Sequence, residues 1–82
     1  MNISIVNGTF SSKDSLDLIA QFIHAKIKFH ESKIEQNISE EDLKMRELRI
    51  KELQRLLYEV RNVLLHKQDN IGIQCSIEIS KS

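Results

Sequence analysis

Two apolar stripes of helical period, separated by a break of four residues, constrain this chain more than any other feature. The second stripe is the more regular. Leu43, Arg46, Ile50, Leu53, Leu57, Val60 and Leu64 recur at spacings that alternate three and four. An α-helix turns once in about 3.6 residues, so these side chains share one face. The pattern holds for about three heptads, the shortest length at which a coiled-coil seam is a reasonable reading. The first stripe is Leu16, Ala20, Ile23, Ile27, His30 and Ile34. There is no proline to interrupt either run. Helix one is predicted over 13–35 and helix two over 40–67.

The break is Gln36-Asn37-Ile38-Ser39. So short a connection between two long helices makes an antiparallel hairpin the default. Ser39 is the predicted N-cap, with Asp42 three residues on at capping-box spacing. Glu40, Glu41 and Asp42 fill the first turn, where carboxylates favour the positive end of the helix dipole. Ile38 and Leu43 have the spacing of a hydrophobic staple. Ser11 and Asp14 repeat the capping spacing ahead of helix one. His66 and Lys67 suit the negative end of helix two. Pairing outward from the loop sets Ile27 near Ile50, Ile23 near Leu53 and His30 near Arg46. The polar members of the two stripes then meet at one level.

Both ends of the chain read as strands. Over 2–6 polar and apolar residues alternate, with Ile3 and Ile5 on one side, and Asn7-Gly8 marks a turn or bulge that ends the run. After a turn at Asp69-Asn70, the segment 71–80 sets Ile71, Ile73, Cys75, Ile77 and Ile79 against smaller or polar residues. Two antiparallel helices return the chain to where it started, so the strands can pair antiparallel. The predicted fold is α+β: one domain over 1–82, a long antiparallel helical hairpin with short N- and C-terminal strands forming a small antiparallel sheet, in the order β-α-α-β. The apolar face of the sheet is expected to pack on the helices.

Such a unit has apolar surface left over. Leu18, Phe22, Ala25 and Phe29 form a second line on helix one, roughly opposite the first. The last strand offers five inward positions against two or three in the first, and Glu78 is its lone charge. An exposed edge of that kind invites pairing with another chain. The expected partner is a second copy, with Leu18, Phe22, Phe29, Ile77 and Ile79 as the interface residues.

The remaining chemistry is sparse. Twelve basic and twelve acidic residues give zero formal charge, so no overall field attracts nucleic acid or anionic lipid. Acids and bases alternate on helix two, and several stand four residues apart, as ordinary surface pairs do (Glu40 and Lys44, Asp42 and Arg46, Glu47 and Lys51, Arg55 and Glu59). His24, His30 and His66 lack metal-ligand spacing, the two glycines make no phosphate loop, and no nucleophile has a recognisable base. Cys75 reads as a small buried hydrophobe. No catalytic residue, metal or cofactor is expected. Apolar runs of three residues or fewer argue against a membrane span and, with no signal-like N-terminus, for a cytoplasmic protein. His30, which interrupts an apolar stripe, is the candidate for pH sensitivity.

The function expected from these residues is that of a small non-enzymatic interaction or scaffolding module that self-associates. The alternative is a small dimeric nucleic-acid-associated regulator, in which dimerisation gathers Lys26, Lys28, Arg49 and Arg55. The local reading makes one direct prediction. Ser39→Ala removes the cap of helix two and should lower stability by about 1 kcal/mol. The change is read as a lower urea midpoint at unchanged slope.

Overall fold

The computed structural model describes residues 1–36, 38–66 and 70–81. Four elements follow one another: β1 (Asn2–Phe10), α1 (Ser12–Ile34), α2 (Glu40–Leu65) and β2 (Ile71–Glu78). This is the β-α-α-β order, with the two strands paired antiparallel. Asn37, Lys67 and Asp69, on which parts of the predicted loop, helix end and turn fall, lie outside the described residues.

Both predicted caps form. The Ser11 hydroxyl accepts the Asp14 N–H at 3.1 Å, and the Ser39 hydroxyl accepts the Asp42 N–H at 3.3 Å. Each bond satisfies one of the amides that the first helical turn leaves without an internal partner. His66 is the C-cap of α2. Asn70 enters β2 with φ of 73°. That left-handed conformation is strained for most side chains, and asparagine is among the residues that tolerate it.

The hairpin seam holds most of what is buried. Ile23 on α1 and Leu53 and Leu64 on α2 are its best-covered apolar residues, and the other stripe positions are half-buried around them. The predicted register holds at its polar level: Arg46 Nη1 donates to His30 Nδ1 at 2.9 Å.

The first strand departs from expectation. It does not stop at Val6 but runs to Phe10, because a β-bulge between Ser4 and Val6 resets its phase. Ile3 lies opposite Ile77; after the bulge Val6, Gly8 and Phe10 lie opposite Cys75, Ile73 and Ile71. Ile5 is the residue left out of the ladder, so it does not share the paired series of Ile3. Gly8 is no terminator. It sits within the ladder, where a Cβ would meet the Phe10 ring at 3.5 Å. β1 therefore supplies four positions to the paired face rather than two or three, and much of the expected imbalance between the strands disappears. β2 closes at Glu78, two residues short of the predicted end. Two further bonds extend the pairing: Ile79 N–H donates to the Met1 carbonyl at 2.7 Å, and the Met1 ammonium donates to the Ile79 carbonyl at 2.8 Å.

Among the described residues both strands approach α1 more closely than α2. One ribbon face, with Val6, Phe10, Ile71, Ile73 and Cys75, is half-buried. The molecule is extended. The radius of gyration is 15.4 Å, whereas a compact chain of this length has about 12 Å. The accessible surface is 6788 Å², against about 5,100 Å² for a compact monomer of this mass.

Ser15, in the first turns of α1, is the most deeply buried described residue, at 0% exposure. Its hydroxyl has no hydrogen-bond partner there. Space at that point is exhausted and the polar atom contributes little. Ser15→Ala should leave the urea midpoint unchanged or slightly raised, because an unpaired buried hydroxyl is lost. Ser15→Leu should cost about 1–3 kcal/mol through overpacking. Equal midpoints for the two variants would contradict this account of the site.

Candidate interaction surface

The second apolar line of α1 is covered in part. Along it exposure rises away from the ribbon: Ser15 is buried, Leu18 half-buried, Phe22 38% exposed and Phe29 54% exposed. Ala25 is exposed between the rings. Coverage thus fades toward the loop end of the hairpin. Ile77 and Ile79, also predicted for the interface, are exposed at the far end of the ribbon. Leu18 and the two rings stand on α1, Ile77 stands on β2, and Ile79 follows one residue beyond its end.

A second exposed line, on α2, was not anticipated from the sequence. Met45, Leu56 and Val63 are exposed, Met45 at 64%. At 100° per residue, steps of 11 and 7 return to nearly the same direction, so the three share one side of α2. The signal was present in the sequence, but Arg49, Glu52 and Glu59 interleave it with charge. In an antiparallel pair, equal rotations away from the seam fall on the same broad face of both helices. Phe22 and Phe29 on α1 and Met45, Leu56 and Val63 on α2 are rotated in the same sense. Two shallow grooves agree with that placement. One is lined by Ile19, Leu56, Val60 and Val63, and the other by Lys26, Arg49, Glu52 and Leu56. The hairpin therefore has a broad apolar face built from both helices; the opposite face carries polar residues such as His24, Lys28, Glu47 and Gln54, together with the exposed Tyr58 and Leu65, the latter beside a groove lined by Leu16 and Leu64.

Near the loop end this face is cationic. Lys33 Nζ lies 5.6 Å from the centroid of the Phe29 ring, and the Arg46 guanidinium carbon lies 5.8 Å from it. Cations over an aromatic face are attracted by its quadrupole. The Phe29 ring meets the His30 imidazole edge-on, with centroids 5.7 Å apart. Arginine can only donate, so Nδ1 of His30 accepts, and the proton of the neutral ring is assigned to Nε2. Nε2 is buried and has no partner among the described residues. Burial, followed by the charges of Arg46, Lys26 and Arg49, holds the His30 imidazole below its ordinary value of 6.5.

Of the basic residues proposed for nucleic acid, Lys26, Arg49 and Arg55 line one groove together with Glu52, whereas Lys28 lies two residues on from Lys26 and points to the opposite face. Arg49 pairs with Glu52 at 3.3 Å, and Arg55 pairs with Glu59. Of the predicted i,i+4 pairs, Arg55–Glu59 forms an ion pair among the described residues, while Arg46 turns to His30 instead of Asp42. Cys75 is half-buried opposite Val6. Among the described residues no cluster of three His, Cys, Asp or Glu side chains could hold a metal ion, and no helix is long and apolar enough to cross a membrane.

The His30 geometry predicts a pH dependence of stability. A histidine whose folded pKa lies below its unfolded value takes up its proton more readily in the unfolded chain. Its contribution is complete above about 6.5 and is lost as pH falls below that value toward the lower folded pKa. The urea midpoint of the parent should fall more than that of His30→Leu as pH is lowered from about 7.5 to about 5.5. Parallel decreases in the two proteins would remove His30 as the source.

Compared with known families, curated proteins and solved structures, the chain matches none of them.

Proposed function

We propose that this protein is a small interaction module without catalytic activity, and that it assembles with a second copy of itself through the apolar face of the helical hairpin. The observation that carries this reading is surface area. The chain exposes 6788 Å², about 1,700 Å² more than a compact monomer of its mass. A standard protein interface takes about 800 Å² from each partner, and permanent homodimers take more. The surplus is large enough for a stable dimer. It also has the right composition, since Phe22, Phe29, Met45, Leu56 and Val63 stand exposed on one face. An apolar patch of that kind is unusual on a protein that works alone.

The grooves on the hairpin are shallow and lie open to solvent. Presentation of a surface accounts for the arrangement better than catalysis does. Burial of each exposed ring contributes about 1.5–3 kcal/mol.

Solution mass by light scattering tests the proposal. The parent should run at twice its 9.6 kDa protomer mass. Phe22→Glu combined with Phe29→Glu should run as a protomer with its helical circular dichroism retained, because both rings are already exposed. A parent that stays at the protomer mass at high concentration would refute the reading. Binding to mixed DNA and RNA that weakens with added salt would instead favour the nucleic-acid regulator.

A further inference from the structure

We infer that the bond between Arg46 and His30 is a proton-sensitive latch: protonation of His30 breaks it and opens the loop half of the helical hairpin, while the half nearer the ribbon stays closed. This is a property of the single chain and does not rest on the self-association proposed above.

The latch is set by the two nitrogens of one ring. Arg46 Nη1 donates to His30 Nδ1 at 2.9 Å. A guanidinium is always charged and has no acceptor, so the bond exists only while Nδ1 carries a lone pair. Protonation turns Nδ1 into a donor that faces a donor. Nε2 is buried and has no partner among the described residues, so its proton finds no acceptor either. An imidazolium in the closed hairpin would hold two unmet N–H groups and a buried charge, both of which are costly. The charges that act on the ring are basic: Arg46 and Arg49 from α2, and Lys26 from α1. Arg49 is itself paired with the exposed Glu52. Lys33 lies over the neighbouring Phe29 ring. The two strands carry one charged side chain, the exposed Glu78, which lies opposite Asn2 in the ribbon. No carboxylate among the described residues bonds to the imidazole. Its surroundings accordingly hold its pKa below the ordinary value, and by linkage the closed form loses ground as the ring takes up a proton.

The opening is local because burial is uneven along the seam. Levels counted outward from the His30–Arg46 bond place Ile23 beside Leu53, seven residues along each helix. On the loop side of that level no described residue is buried, and Ile27, Ile34, Leu43 and Ile50 are half-buried. Ile23, Leu53 and Leu64 lie at that level or beyond it, toward the end where β1 runs almost directly into α1. The segments with least burial open at the least cost. Arg46 also has a second partner on its own helix. Asp42 stands four residues before it, at the spacing of a surface ion pair. Neutral His30 keeps Arg46 in the seam, and acid releases it toward Asp42.

Amide hydrogen exchange of the full chain, read by NMR and corrected for intrinsic rates, tests this. Between about pH 7.5 and about pH 5, protection over 26–34 and 44–52 should fall several-fold. A free imidazole at 6.5 sets the ceiling at about 30-fold. Protection over 16–23 and 53–64 should hold. The pH midpoint of the loss should coincide with that of the His30 ring resonances, a comparison that needs no variant. His30→Asn sets a non-titrating amide oxygen in place of Nδ1 and should abolish the difference between the two pH values, while His24 and His66 remain as internal controls. An equal loss over both halves, a midpoint that departs from that of His30, or the same loss in His30→Asn overturns the latch. The solution mass is read by light scattering at both pH values. A mass that falls together with the protection assigns the loss to separation of copies and overturns the latch as well.

Discussion

The structure depends on one seam. Ile23, Leu53 and Leu64 close it, and the half-buried stripe positions continue it along the hairpin. Burial of apolar surface is the main favourable term in folding, and here it is concentrated in a single line between two helices. A two-stranded ribbon is marginal by itself and needs a surface to rest on. It approaches α1 most closely. So the ribbon depends on α1, α1 depends on α2, and no third layer supports the three. A chain of this size has little core to spare, and this one leaves one broad face of its helices unused.

The polar level within that seam has a different role. His30 and Arg46 replace apolar residues at matching heights, and their hydrogen bond is satisfied only when those heights coincide. A slip of one helical turn would leave the guanidinium without its acceptor in a half-buried position, a costly outcome. Apolar side chains tolerate such slips more readily, since leucine packs on leucine at several offsets. The pair therefore acts against misregistered hairpins. Its partner ring, Phe29, carries that polar level out to the surface, where Arg46 and Lys33 flank it.

Much of this was legible in the sequence because it is local. The serine caps, the stripe spacings and the break between helices each depend on residues within a turn or two of one another. Antiparallel pairing of the strands followed from counting elements. What escaped was set by distant partners. Ile3 and Ile5 alternate as a strand should, yet the ladder skips Ile5, because Val6 and Phe10 find better neighbours across β2. Gly8 looked like a terminator, since nothing nearby in sequence announces that Phe10 covers it. The exposed line of Met45, Leu56 and Val63 was hidden by the charged residues between its members. It became visible when the position of α1 defined which side of α2 is free.

The ladder between the two strands has a topological result. Its last bonds join the backbones of Met1 and Ile79, with an N–H to carbonyl distance of 2.7 Å in one direction. The described chain thus enters and leaves the fold at the same point, with the hairpin loop at the far side. A unit built this way can be spliced into a surface turn of an unrelated host without pulling the host's flanking residues apart. By the same geometry it can be reopened at the hairpin loop, with its old ends joined by a short bridge, and keep every contact of the seam.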